Sequence, residues 1–137
     1  SYSVTGVQTC ALPILLPLEL NRMLNTSEQQ HALHLLEAVG LADRTASFPD
    51  ALSGGEQQRI AIVRSLVHHP DVILADEPTG NLDQETGRQV IQILDQLVRQ
   101  RGATLIMATH SKEVVGWADR VLQVKAGALS PVQDAKP

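Results

Sequence analysis

Asp76-Glu77 stands directly after Val72-Ile73-Leu74-Ala75, so two carboxylates emerge where an apolar strand ends. Open α/β sheets bind ligands at the carboxyl ends of their strands. Adjacent strand residues point to opposite faces, so these acids cannot flank one bond as a glycosidase pair does. They divide the work: one can hold Mg²⁺ through oxygen ligands and water, the other can activate an attacking water. A solvated acidic turn is the plain alternative for that dipeptide alone. Thr109-His110 follows a second apolar run, Ala103–Ala108, and delivers polar groups to the same sheet edge. The third constellation is Leu52-Ser53-Gly54-Gly55-Glu56-Gln57-Gln58-Arg59. A hydroxyl and unpaired backbone N–H groups lie there at the positive end of a helix. Glycines let a ligand approach the backbone, which makes an anion site with phosphate as its natural guest. A ligand-free Ser-Gly-Gly cap is the alternative.

The elements that must place these groups follow from hydrophobic periodicity. After Pro17 the pattern predicts helix through about Met23. Thr26 or Ser27, with Gln29 or Gln30 three residues on, predicts a capping-box start. Ala32, Leu33, Leu36 and Val39 form that helix's inner face, and Gly40 stops it. Residues 41–52 form a linker containing Pro49, and a helix runs from Glu56 to about Val67 with Ile60, Val63 and Leu66 or Val67 inward. Val72–Ala75 is unbroken apolar sequence, which predicts a buried parallel strand. Asp83 can cap a long helix through Arg99, with Val90, Ile91, Leu94, Leu97 and Val98 inward and Gly102 just beyond. Ala103–Ala108 is a second strand, Ser111–Trp117 a short helix and Val121–Val124 a third strand, which Ala126-Gly127 turns into an edge hairpin. This alternation is doubly wound α/β, divided as a helical part, 15–68, and an α/β part, 69–137.

Composition narrows the function. The chain has 137 residues, 43% of them hydrophobic and 19% charged, enough for one domain with one core. A net charge of −4 argues against a basic nucleic-acid-binding face. Tyr2, Phe48 and Trp117 are too few to make a stacking platform for single-stranded bases. One cysteine, Cys10, excludes a disulfide framework and fits a reducing compartment. His31, His34, His68 and His69 read as surface residues: His31 and His34 share a helix face, but no further metal ligand accompanies them. Ala11–Leu20 lacks the flanks of a signal peptide and is too short to span a bilayer. Val4–Ile14 is similar to the in-frame translation of a common sequencing-library adapter primer. Residues 1–14 are therefore expected to be a foreign leader, with the native frame beginning near Leu15.

Taken together, in this order and spacing, the three constellations resemble the C-terminal half of an ATP-binding cassette (ABC) ATPase. Leu52–Gln57 matches that family's signature motif, with Glu56 where glutamine is commoner. Val72–Glu77 matches Walker B, Gly80–Asp83 the D-loop and His110 the switch histidine. Asp76-Glu77-Pro78-Thr79-Gly80-Asn81-Leu82-Asp83 is most similar to the lipoprotein-release, macrolide-export and cell-division cassettes. The resemblance implies a P-loop NTPase-like ABC core with a helical signature subdomain. It also implies ATP and Mg²⁺ as cofactors. Ser53, Gly54, Gly55, Glu56 and Gln57 would face the nucleotide held by a second ATPase subunit, and Asp76 would position Mg²⁺. Glu77 would polarise water, His110 would touch the γ-phosphate, and Asn81 and Asp83 would lie at the dimer interface. Asp83 serves equally well as the cap of the following helix.

One departure matters. A phosphate-cradling Walker A loop needs a Gly-Lys pair, yet Lys112, Lys125 and Lys136 follow Ser111, Val124 and Ala135. The expectation is a fragment whose parallel sheet lacks the Walker A strand, leaving a slot between Ala103–Ala108 and Val121–Val124 that is unfilled or irregularly closed. The parent would be the ATPase subunit of a transporter, cytoplasmic and peripheral at the inner face of the membrane, bound to a transmembrane permease and to no nucleic acid. A cell-division or regulatory cassette without transport is the competing expectation.

Overall fold

The computed structural model describes residues 11–132. Of the expected leader, residues 1–10 lie outside the described residues. Helix α1, Ala11–Leu20, begins upstream of Pro17 and carries it inside. Proline cannot donate an intrahelical bond. The helix stands because Ile14 and Leu18 are fully buried in the core, and its end is fastened where the Pro17 carbonyl accepts from both the Asn21 N–H at 3.2 Å and Asn21 Nδ2 at 2.7 Å. It stops short of Met23, where Arg22 turns the chain with φ of +57°.

Helix α2, Thr26–Ala38, is capped by Asn25, upstream of the expected Thr26 or Ser27. Asn25 Oδ1 accepts from Glu28 N–H at 3.0 Å, so Glu28 takes the place in the first turn expected of a glutamine. The buried stripe is Ala32, Leu35, Leu36 and Val39, while Leu33 is 50% exposed. Leu35 continues the i, i+3, i+4 stripe that faces α1 and the next helix; Leu33 sits off it. Gly40, with φ of +72°, ends the helix as expected.

Helix α3, Gly54–Leu66, buries Ile60, Val63 and Leu66, with Val67 just beyond, and packs against α1, α2 and α4. Strand β1, Val72–Asp76, pairs in parallel with β2, Thr104–Ala108, from Val72↔Thr104 to Asp76↔Ala108. Helix α4, Gln84–Arg101, starts at its Asp83 cap, buries all five expected apolar residues and ends at Gly102 in the left-handed region. A short helix α5, Lys112–Val115, follows. Strands β3, Leu122–Lys125, and β4, Ala128–Pro131, form an antiparallel hairpin around Ala126 and Gly127, both at positive φ.

The expected two-sided burial of the first strand does not hold. Ile73 joins the helical core, but Leu74 is 77% exposed and Ile106 55% on the other face. Among the described residues, the helices cover only one face of this two-stranded sheet. The hairpin forms a separate sheet, and among the described residues β2 and β3 do not pair.

Candidate functional site

Glu77 ends β1 by leaving the strand. Its φ of +44° is unusual for a residue with a side chain, and such a conformation costs about 1–2 kcal/mol. Three contacts hold it there. Its N–H donates to the Ala108 carbonyl at 2.9 Å, extending the strand pairing by one bond. Its carbonyl accepts from Gly80 N–H at 3.0 Å, and the Thr79 carbonyl accepts from Leu82 N–H, folding residues 77–82 into a tight loop.

The Glu77 carboxylate thus faces the segment that follows β2. Glu77 Oε1 accepts from the His110 backbone N–H at 3.0 Å and lies 2.6 Å from His110 Nδ1. The Thr109 hydroxyl donates to Oε2 at 3.3 Å and accepts from Ser111 N–H at 3.1 Å. The His110 side-chain hydrogen bond holds the Glu77 carboxyl below its ordinary value, followed by the charge and backbone N–H of the same residue. Asp76 remains exposed at the last position of β1, opposite Ala108. The two acids are therefore in different surroundings, as alternation along a strand requires. Asp76 offers free carboxylate oxygens of the kind Mg²⁺ takes together with water and substrate phosphate.

Ser53 caps α3 reciprocally. Its hydroxyl accepts from Glu56 N–H at 3.3 Å, and its N–H donates to Glu56 Oε2 at 2.8 Å. The Ser53 backbone N–H first, then the Ser53 side chain, ahead of the charge of Arg44 at 3.4 Å, hold the Glu56 carboxyl low. Glu56 is thus engaged in the cap, and Gln57 Nε2 donates to the Leu52 carbonyl at 3.2 Å. Ser53 and Gly54 are exposed, but Gly55 is buried. A β carbon at Gly55 would lie 2.5 Å from Thr86 Cγ2. Gly55, expected with Gly54 to clear the way for a ligand, also makes room for α4 by its missing side chain. Asp83 Oδ1 accepts from Thr86 N–H at 3.1 Å, so it caps α4, while Asn81 is exposed in the loop before it.

Two clefts join these parts. One, of about 300 Å³, is lined by Gly54, Gln57, Glu77, Gly80 and Asn81, bringing the α3 turn and the β1 acid to one place. The other, of about 290 Å³, lies between Glu77, Asp83, Arg88, His110, Glu113 and Trp117. Its wall is fastened by a Gln84–Glu113 hydrogen bond joining α4 to α5. Neither that pair nor Thr86 carries a sequence signal, because each acts through a partner that only the fold brings near.

The family model described as ABC transporter matches residues 5–80, more than half of the chain. The chain belongs to the ABC transporter family. An ABC transporter ATP-binding protein of Mycobacterium tuberculosis is 54% identical over 118 residues, 86% of this chain and 48% of that protein. The lipoprotein-releasing system ATP-binding protein LolD of Syntrophus aciditrophicus is 45% identical, covering 84% of this chain and 52% of its own length. A solved dimeric bacterial ABC transporter cassette superposes with a TM-score of 0.73 at 34% identity, over 93% of this chain and 56% of that one. The ABC chain described here therefore spans about half the length of the curated relatives it matches. Its mixed helix and parallel-strand fold is that of an ABC ATPase cassette core, as the sequence motifs imply. No helix among the described residues is long and apolar enough to cross a membrane.

Proposed function

We propose that this chain contributes the signature, Walker B, D-loop and switch-histidine half of an ATP-hydrolysing subunit that energises export or lipoprotein release. The observation that supports this reading most directly is the junction of Glu77 and His110 across the ends of β1 and β2, beside the α3 turn. ATP supplies the phosphoryl group and Mg²⁺ the charge that offsets phosphate repulsion. Asp76 holds the metal. Glu77, a carboxylate at neutral pH whose titration His110 lowers further, accepts a hydrogen bond from the attacking water and orients it. His110 is 86% exposed at its side chain, so its imidazole can leave Glu77 and reach a γ-phosphate without breaking any core contact. Ser53 and Gly54 face the nucleotide of a second subunit with a hydroxyl and free backbone N–H groups. Asn81 and Asp83 lie at the interface between subunits. The subunit docks on a transmembrane permease and works at the inner face of the membrane, without nucleic acid.

The test uses the chain extended to the length of its relatives. Glu77→Gln should keep ATP binding in isothermal titration and lower steady-state hydrolysis by roughly 10²-fold or more. Asp76→Ala should also weaken the Mg²⁺ dependence. Near-normal turnover in Glu77→Gln would remove Glu77 from this role.

A further inference from the structure

The first turns of α3 and α4 meet at a single notch. Gly55 is buried, and a β carbon there would lie 2.5 Å from Thr86 Cγ2, well inside van der Waals contact. A threonine can usually relieve such a clash by rotating χ1. Here the Thr86 N–H donates to Asp83 Oδ1 at 3.1 Å, which fixes the Thr86 backbone in the first turn of α4. β-branched side chains have few χ1 choices in a helix. The Thr86 methyl stands against Gly55. The surrounding contacts run the same way: Leu82 Cδ2 is 3.5 Å from the β-carbon position of Gly54, and Thr79 Cβ is 3.3 Å from that of Gly87.

We infer that Thr86 is a positioning residue that ties the Ser53-Gly54-Gly55 turn to the Asp83 cap, so that the α3 turn and the loop before α4 move as one body. The inference rests on the reading of Ser53–Gln57 as the nucleotide-facing turn. Its consequence is directional. A second subunit that presses on Asn81 or Asp83 shifts the backbone N–H groups of Gly54 and Gly55 through the Thr86 methyl.

A double-mutant cycle tests it. In this chain, Gly55→Ala should lower Tm by roughly 3–8 °C, the cost of overpacking. Thr86→Ser removes the methyl and keeps the hydroxyl, so adding it to Gly55→Ala should recover at least half of that loss. Additive effects would overturn the linkage. In the chain extended to its relatives' length, Gly55→Ala should lower ATP hydrolysis by about tenfold or more through displacement of the turn, and Thr86→Ser should restore most of it. Recovery of Tm without recovery of hydrolysis would show that Gly55 meets the nucleotide directly and would end the positioning role. If Gly55→Ala does not fold, Thr86→Ala decides. It removes the methyl that stands against Gly55 and should shift the Gly54 and Gly55 amide resonances; unmoved resonances would overturn the inference. An extended chain of native sequence that hydrolyses no ATP would defeat the functional reading, while the Tm cycle would still decide the notch.

Discussion

Glu77 combines a strained backbone with a carboxylate surrounded by donors. The positive φ turns the side chain out of β1 and toward β2, and His110 and Thr109 then receive it. Its folded titration lies below the ordinary glutamate value of 4.5, led by the His110 hydrogen bond. A carboxyl with a depressed folded pKa stabilises the fold above its unfolded value, and that contribution is lost as pH falls through the folded one. Replacing the imidazole should raise the titration. In His110→Ala, ¹³C-detected titration of Glu77 should move up toward 4.5, leaving only the backbone and Thr109 donors. An unchanged midpoint would mean that the imidazole does not hold the carboxylate.

At the scale of elements, the β1–β2 pair is covered on one side. Ile73 and Leu105 join the helical core, whereas Val72, Leu74 and Ile106 stand exposed on the other face. Contiguous exposed apolar surface and unpaired strand edges favour association between copies. Leu74→Thr should therefore reduce light scattering in concentrated solutions of this chain. It should change unfolding free energy by less than about 0.5 kcal/mol, as expected for an exposed position. A large loss of stability would show that Leu74 is covered in solution. Helix α4 makes the contrast: between its exposed caps, Asp83 and Gly102, it buries all five inward apolar residues on one stripe.

At the scale of the whole molecule, one polar cluster fastens three helices. His31 of α2 stacks on His69, which follows α3, with ring centroids 4.6 Å apart. Glu28 of α2 meets His69 Nε2 at 2.8 Å, and Arg101 at the end of α4 bonds both His31 and the Leu66 carbonyl. Burial first, then the charges of Arg101 and His69, hold His31 below its ordinary value of 6.5; Glu28 opposes them and His34 adds a little. The unfolded chain therefore takes up the proton first. Stability from His31 is complete above pH 6.5 and is lost as pH falls below it toward the folded value. Tm should decline between pH 7 and 5.5, and His31→Gln should flatten that decline. An equal slope in the variant would place the titrating group elsewhere.

Local chemistry was enough to make the caps at Ser53 and Asp83, the glycine stops at Gly40 and Gly102, and the parallel pairing of β1 with β2 readable in the sequence. Membership of the ABC transporter family was readable for the same reason: the segments that carry the resemblance are short and ordered along the chain. Other features depended on who packs against whom. Leu33 faces outward while Leu35 faces in, Asn25 rather than Thr26 caps α2, and one face of β1 stays bare. Gly55 shows the limit most clearly. Its sequence context speaks of an open anion site, yet the fold sets it against Thr86, and only the approach of two helices far apart in sequence decides which atoms fill that space.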